Sequence, residues 1–377
     1  MKILILSWRG PGHPNAGGAE ISTHEHAKGW VKAGNEVTLF TSSYVGAKRE
    51  EIVDGVKIIR RGRQVLGVHF EAVKWYLFES HDDFDLVVDQ FHGIPFFAPL
   101  FVRKKKLGFI HEVTKEVWRL NPWSWPFNQI ASFVGEIFEP LVFKLLYKDI
   151  PFMTVSKSTK QDLVNWGIPK RNITVIHNGV NISRTKKLSP KEKKKTAIFL
   201  GSISKDKGIE DAIYIFKEID SIERDWQFWV VGKSDLRYLK TIQRLAKNLG
   251  IFNKINFLGY VTESKKFELL SKAHILVNPS IREGWGLVVI EAGVVGTPTA
   301  GYNVAGLRNS VINGKTGLLS HPHNIKALAM KIVKLMDNKL RLRKMSFDAY
   351  SWSKKFRWEN ACWKSLKLIE SLVSEKY

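Results

Sequence analysis

Short apolar runs recur along the chain, and between them apolar positions return every three to four residues. The first rhythm predicts buried strands and the second amphipathic helices. In the first half Ile3–Ser7, Glu36–Thr41, Val56–Arg60, Asp85–Asp89, Leu107–His111, Phe152–Val155 and Ile173–Ile176 read as strands. AEISTHEHAKGWVKAG, between the first two, reads as a helix that Gly34 closes. After Asn181 the chain turns polar and basic, RTKKLSPKEKKK, and the alternation then restarts. TAIFLGS, QFWVVGK, INFLGYV, ILVNPS and TPTAGYN are the expected strands, and GIEDAIYIFKEI, LRYLKTIQRLAKNL, ESKKFELLSKA and LVVIEAGVVG the expected helices. Repeated strand-helix units imply parallel sheets covered on both faces. The expectation is therefore an α/β chain of two doubly wound domains, 1–182 and 183–350, with ligands bound at the carboxyl ends of the strands. A last helical run, SKKFRWENACWKSLKLIESL, occupies most of 351–377 and can pack on either domain.

At 377 residues the chain exceeds the size at which single cores stop growing, which agrees with two domains. Its 44% hydrophobic and 25% charged residues exclude disordered and fibrous classes. The single cysteine, Cys362, excludes an intrachain disulfide and a cysteine metal cluster, and suits a cytoplasmic location. MKILILSWRG is too short an apolar run for a signal peptide, and no stretch of eighteen uncharged apolar residues follows. The net charge of +23 is uneven: residues 1–180 hold 23 basic against 18 acidic side chains, residues 181–377 hold 36 against 18. Such a field attracts nucleic acid, anionic lipid or phosphorylated substrates, or is simply a solvated lysine-rich surface.

Several motifs are missing. Gly10-Pro11-Gly12 lacks the third glycine of a dinucleotide fingerprint, GKT at 314–316 and GKS at 232–234 lack the first glycine of a Walker loop, and HEHAK and HEVTK lack the second histidine of a zincin helix. No metal site is indicated. The stretch REGWGLVVIEA, 282–292, is different. A helix starting near Gly286 or Leu287 presents free amide groups and its positive dipole end to an anion. Gly284 and Gly286 admit a close backbone approach. Helical side chains lean toward the N-terminus, so Glu291 points back toward the place of Glu283. Carboxylates accept from sugar hydroxyls, so the pattern fits a ligand with both diphosphate and vicinal hydroxyls, a nucleotide sugar.

PSIREGWGLVVIEAGVVGTP resembles the signature of glycosyltransferase family four, retaining enzymes of the GT-B fold marked by two glutamates with seven residues between them. GGAE at 17–20, HE at 111–112, VSKSTKQDL at 155–163, VIHNGV at 175–180, KG at 207–208, FLGYV at 257–261, AGL at 305–307 and GKTGLL at 314–319 follow the family order over nearly the whole chain. The resemblance implies two Rossmann-like domains facing each other across a cleft, acceptor-binding first and donor-binding second, with the last helix crossing back to the first. It assigns Gly17 and Gly18 to a loop over the donor phosphates, Lys207 to the departing diphosphate, Glu283 to the transferred sugar and Glu291 to the ribose. Gly284, Trp285, Gly286 and Leu287 complete that donor segment, Gly259 and Val261 read the base through their backbone, and His111 lies near the transferred sugar. Glu20 and Glu112 fall on the acceptor side. Ser202 stands where the family has an arginine, and Lys205 and Arg282 are the candidates to replace its charge. Near Ser156, SKSTKQ also fits a helix start capped by Ser158.

The implied reaction is front-side displacement with retention, moving a hexose from a nucleotide-diphosphate sugar, UDP-sugar favoured, to a glycan, glycolipid or polyprenol-linked acceptor. The protein positions and neutralises, with no cofactor and no metal required. Between His111 and Phe152 the chain inserts a segment dense in Trp and Phe, and RKKK occupies 103–106. Aromatics beside cations suit peripheral contact with an anionic membrane on the cytoplasmic face; the alternative is a helical hairpin whose aromatics fill the core. A noncatalytic nucleotide-sugar-binding protein and a nucleic-acid-binding protein are the other functional readings, though the lysines form no recognition module and no specific nucleic acid is expected.

Overall fold

A computed structural model of the chain describes residues 1–91, 93–120, 126–181 and 190–374. It divides into two compact units, Met1–Asn178 with Trp358–Tyr377, and Gly179–Arg357. The expected border between 182 and 183 lies outside the described residues, and the unit border falls just before it, after Asn178.

Unit 1 runs β1 (Lys2–Leu6), α1 (Gly18–Lys32), β2 (Glu36–Thr41), β3 (Glu50–Val53), β4 (Val56–Arg60), α2 (Leu66–Phe78), β5 (Leu86–Phe91), α3 (Ala98–Phe101), β6 (Lys105–Ile110), α4 (Phe127–Leu146), β7 (Phe152–Thr154), α5 (Lys157–Asn165) and β8 (Ile173–Val175). The eight strands form one sheet in the order β3-β4-β2-β1-β5-β6-β7-β8. All neighbours are parallel except β3 and β4, an antiparallel hairpin whose second strand was expected at Val56–Arg60 and whose first, Glu50–Val53, was not. Asp54 and Gly55 join them, both at positive φ, as a two-residue hairpin turn of the primed kind requires. Leu4, Leu6, Phe40, Ile59 and Trp75 form one part of the core, and Phe91, Ile110, Phe143, Tyr147 and Phe152 another. The cap of α5 is Ser156, not Ser158: its extended backbone lets Oγ accept from the Thr159 amide.

Unit 2 runs β9 (Lys195–Leu200), α6 (Ile209–Ile222), β10 (Trp226–Val231), α7 (Leu236–Asn248), β11 (Ile255–Gly259), α8 (Glu263–Lys272), β12 (Ile275–Asn278), α9 (Leu287–Val294), β13 (Thr299–Tyr302), α10 (Leu307–Ser310), β14 (Gly317–Ser320), α11 (Ile325–Asp337) and α12 (Lys339–Ser353). Its sheet is wholly parallel, in the order β11-β10-β9-β12-β13-β14. That is a doubly wound order whose direction of progression reverses between β9 and β12, the crevice where such sheets take ligands. In unit 1 the same reversal falls between β1 and β5.

The final helix, α13 (Trp358–Ser374), belongs to unit 1 although it follows all of unit 2 in the chain. The helical run expected from Ser353 onward is broken: α12 ends at Ser353 and Val180 bridges Arg357 before α13 begins. α13 packs on α1, where Ser365 Oγ meets His26 Nδ1 at 2.8 Å and accepts from Trp30 Nε1 at 2.9 Å. Gly29 makes this approach possible, since a Cβ there would lie 2.5 Å from Cys362 Cβ.

Candidate active site

The reversal point of unit 2 collects the principal residues expected on the donor side. The loop after β9 and the loop after β12 are tied by the Ile281 amide donating to the Asp206 carbonyl at 2.9 Å. Gly208, at positive φ, lets the first loop lie against the Pro279 carbonyl, which a Cβ would approach to 2.1 Å. This sets Lys207 Nζ 3.2 Å from Glu283 Oε1, both side chains largely buried. Ser280 Oγ donates to the same Glu283 oxygen at 2.8 Å. Glu283 is held from behind as well: its amide donates to the Ala305 carbonyl at 3.2 Å, and a side chain on Gly306 would strike its backbone oxygen at 2.1 Å. AGL at 305–307 thus has a mechanical task, fixing the main chain of the first glutamate.

Gly284, Trp285 and Gly286 lead into α9. Gly286 caps the helix in the left-handed region, without a capping side chain. The Trp285 ring is turned into the unit, edge-on to Phe356 at 5.0 Å, and Leu287 opens the helix. One turn on, Glu291 Oε1 accepts from Lys266 Nζ of α8 at 2.7 Å, and Lys266 also reaches Glu263 at 2.8 Å. Burial lowers the Lys266 pKa, but the Glu291 and Glu263 carboxylates more than reverse this and leave it raised. The two signature glutamates therefore have separate lysine partners, Lys207 and Lys266. That is how a carboxylate survives in so apolar a run.

Ser202 and Lys205 are exposed in the loop after β9, whereas Arg282 is buried. Gly259 ends β11 at positive φ and its carbonyl accepts from the Gly232 amide at 2.8 Å. Val261 is half-buried, and between them Tyr260 is exposed, with Lys233 Nζ 4.5 Å from its ring centroid.

In unit 1, Gly17 and Gly18 do not form the expected loop: Gly17 is the N-cap of α1 and Gly18 its first residue. Glu20 closes the cap, accepting from the Gly17 amide at 2.7 Å on one oxygen and from Arg9 Nε at 2.9 Å on the other. Both oxygens of this acceptor-side candidate thus hold the chain in place. His111 follows β6, buried, with its ring 4.4 Å from Phe109, and Gln90 Nε2 lies 3.4 Å from its Nδ1. Glu112, next in sequence, is half-buried.

Sequence reasoning missed Lys266, Ser280 and Gln90. Lys266 carried a faint signal: it stands three and four residues before the buried Leu269 and Leu270, so it shares their side of α8, while Lys265 remains exposed against Glu268. Gln90 carried none, because its meaning depends on which strands are neighbours.

Two doubly wound units, with a lysine-carboxylate pair at a reversal point and a helix N-terminus without a capping side chain beside it, are the arrangement of the GT-B class of glycosyltransferases. The family models agree: "Glycosyltransferase Family 4" matches residues 16–184 and "Glycosyl transferases group 1" residues 182–352. The chain belongs to this glycosyltransferase family. An uncharacterized glycosyltransferase of Methanocaldococcus jannaschii is 24% identical, over 93% of this chain and 95% of the relative. Sucrose-phosphate synthase from Thermosynechococcus elongatus has the same fold, with a TM-score of 0.81, 20% identity and 98% of each chain covered. HepE of Anabaena, solved in complex with UDP-glucose, superposes with a TM-score of 0.75 at 17% identity, over 98% of this chain and 100% of that one.

Proposed function

We propose that the protein is a retaining hexosyltransferase that moves a sugar from a nucleotide-diphosphate donor, UDP-linked by preference, to a glycan or lipid-linked acceptor, forming an alpha bond. The observation that carries the reading is the Lys207–Glu283 pair at the reversal point of unit 2. Lys207 neutralises the departing diphosphate, and the amides at the start of α9 add positive potential without a metal or cofactor. Glu283 accepts from hydroxyls of the transferred sugar and Glu291 from the ribose. Lys266 occupies one Glu291 oxygen and leaves acceptor capacity for the ligand. Ser202 replaces an arginine, so Lys205, exposed and free to extend, is favoured over the buried Arg282 as the second cation. Gly259 and Val261 offer backbone groups to the base, His111 meets the transferred sugar, and Glu112 lies on the acceptor side. HepE, solved with UDP-glucose, favours a UDP-hexose.

Calorimetry with UDP-, GDP- and ADP-sugars tests the donor. One nucleotide sugar is expected to bind selectively, with Glu291→Gln weakening it about tenfold to a hundredfold, the scale of a lost hydrogen bond to a charged group. Failure of all three donors to bind would overturn the reading; binding without turnover would move it to a noncatalytic nucleotide-sugar protein.

The acceptor reading includes an anionic membrane surface. No helix among the described residues is long and apolar enough to cross a membrane. α4, however, is apolar on its outer side: Phe127, Ile130, Phe133, Ile137, Phe138, Leu141 and Leu145 are exposed, Phe133 to 67%. Of the expected core aromatics only Phe143 and Tyr147 fill the interior from this helix. Lys144 and Lys148 are exposed at its C-terminal end, placing cations beside the apolar strip. RKKK contributes less than expected, since Lys104 pairs with Asp83 and Lys106 turns back onto the carbonyls of Val102 and Lys104.

A further inference from the structure

We propose that Glu139 of α4 is a positioning residue for the loop that follows β6, the segment carrying His111 and Glu112 at the carboxyl edge of the sheet. The loop leaves β6 after Ile110, buries Val113 and enters a short 3-10 turn, Lys115–Leu120. A helical turn opens on amides that its own carbonyls cannot reach. Glu139, buried and 25 residues on from Thr114, meets them. Its Oε1 accepts from the Thr114 amide at 2.8 Å, and its Oε2 from the Lys115 amide at 3.3 Å and from Trp118 Nε1 at 2.9 Å. A cap ordinarily comes from the residue just ahead of its turn. Here it comes from another helix, so the shape of the loop depends on where α4 stands.

Two further observations show that the loop is held rather than merely touched. Lys115 sits at φ 36°, in the left-handed region, which a lysine keeps only where its surroundings fix it. They fix it from two helices: its amide is on Glu139 of α4, and its Nζ pairs with Asp162 of α5. The inner face of α4 is also shaped for the turn. Ser132, Gly135, Glu136 and Glu139 follow each other at helical spacing, and each meets it. Ser132 Oγ shares its proton between the Trp118 carbonyl at 2.9 Å and the Asn128 carbonyl at 2.7 Å. Gly135 leaves room for the Trp118 ring, and Glu136 accepts from Arg119 at 2.6 and 3.2 Å. Thr159 Oγ1 donates to the His111 carbonyl at 3.0 Å, so the chain is anchored on one side of Glu112 by α5 and on the other by Glu139. Loosening Glu139 shifts this segment and leaves the groups of unit 2 untouched. Its part in turnover rests on the transferase reading above; the clamp does not.

The test compares the full chain with Glu139→Gln, whose amide sets an N–H against donors that need an acceptor, and with Glu139→Ala. Hydrogen exchange read by mass spectrometry should run about tenfold to a hundredfold faster over residues 112–120 in Glu139→Gln, the scale of a lost hydrogen bond to a charged group, with β1 and β5 unchanged. In protein labelled with 15N-tryptophan, the Trp118 indole N–H, assigned by its loss in Trp118→Phe, should be protected from exchange in the wild type and not in Glu139→Gln. Donor calorimetry counts the folded molecules. Per donor-binding site, kcat should fall about tenfold to a hundredfold in Glu139→Gln and further in Glu139→Ala, with donor affinity kept, as a displaced loop predicts. Unchanged exchange over 112–120 overturns the proposal. So does faster exchange throughout unit 1, or an undiminished kcat per donor-binding site, either of which would make Glu139 merely structural. If Glu139→Gln does not fold, the wild-type indole decides: protection supports the clamp, and exchange as fast as that of an exposed indole overturns it. Absence of turnover in the wild type would tell against the transferase reading and leave the exchange pattern to decide the clamp.

Discussion

The signature glutamates were legible as residues, because two carboxylates in an apolar, glycine-flanked helix start have few other uses. Their partners were not. Lys207 was visible from its motif, but its distance from Glu283 depends on two loops that meet only once β9 and β12 are neighbours. Lys266 lies 25 positions before Glu291, on a different helix. It yields a test: Lys266→Met strands a mostly buried carboxylate and should destabilise unit 2 by about 2 kcal/mol, below the usual range for a broken buried pair because both side chains keep some water contact. Adding Glu291→Gln should recover most of that loss in urea unfolding. A double variant no more stable than the sum of the single changes would show that the two residues do not depend on each other.

At the scale of elements, buried apolar runs marked the parallel strands well, and errors came where burial is uneven. β3, EEIV, sits at a sheet edge and exposes most of its length, so its apolar content is thin; the Asp-Gly turn after it was the readable clue. The break before α13 has no Gly or Pro to announce it. α4 is inverted relative to an ordinary surface helix. Its polar Glu139 faces inward, accepting from the amides of Thr114 at 2.8 Å and Lys115 at 3.3 Å and from Trp118 Nε1 at 2.9 Å, while its Phe and Ile residues other than Phe143 face out. Burial raises the Glu139 pKa, and the donors from Thr114, Trp118 and Lys115 only partly counter it. Gly135 is part of this arrangement, since a Cβ there would lie 2.3 Å from the Trp118 ring. A run of large apolar side chains exposed along one helix, among them Phe127, Ile130, Phe133, Ile137, Phe138, Leu141 and Leu145, is the kind of contiguous patch that marks a membrane or partner surface. The protein should co-sediment with phosphatidylglycerol-containing vesicles at moderate salt, and Phe133→Asp with Phe138→Asp should abolish this while donor binding persists. Wild-type protein left in the supernatant would remove the membrane from the reading.

For the whole molecule, acid should act on both units in one pH window. Burial holds His26 at about 4, below its ordinary 6.5, and burial, with Lys191 and Lys195 nearby, holds His274 of unit 2 at about 4. Each depressed imidazole stays neutral in the fold, whereas the unfolded chain takes up the proton as pH falls through 6.5. Stability is therefore fully present above 6.5 and declines until about pH 4. His26 alone accounts for about 2 kcal/mol between pH 7 and 5. Urea midpoints at the two pH values should differ by less in His26→Gln, whose amide can still meet Ser365. An equal difference in variant and wild type would mean that His26 does not titrate in this window.

α13 lies on the far side of unit 2 in the chain yet completes unit 1. During synthesis the ribosome delivers the eight strands of unit 1 early, but the Ser365 hydroxyl that joins His26 and Trp30 emerges only after every residue of unit 2. Until then α1 shows an unfinished apolar flank, and unit 2 has its whole sequence available first. The order in which the two units mature is thus set to run against the order in which they are begun, and a nascent chain stalled before residue 358 would carry a finished second unit beside an uncovered first one.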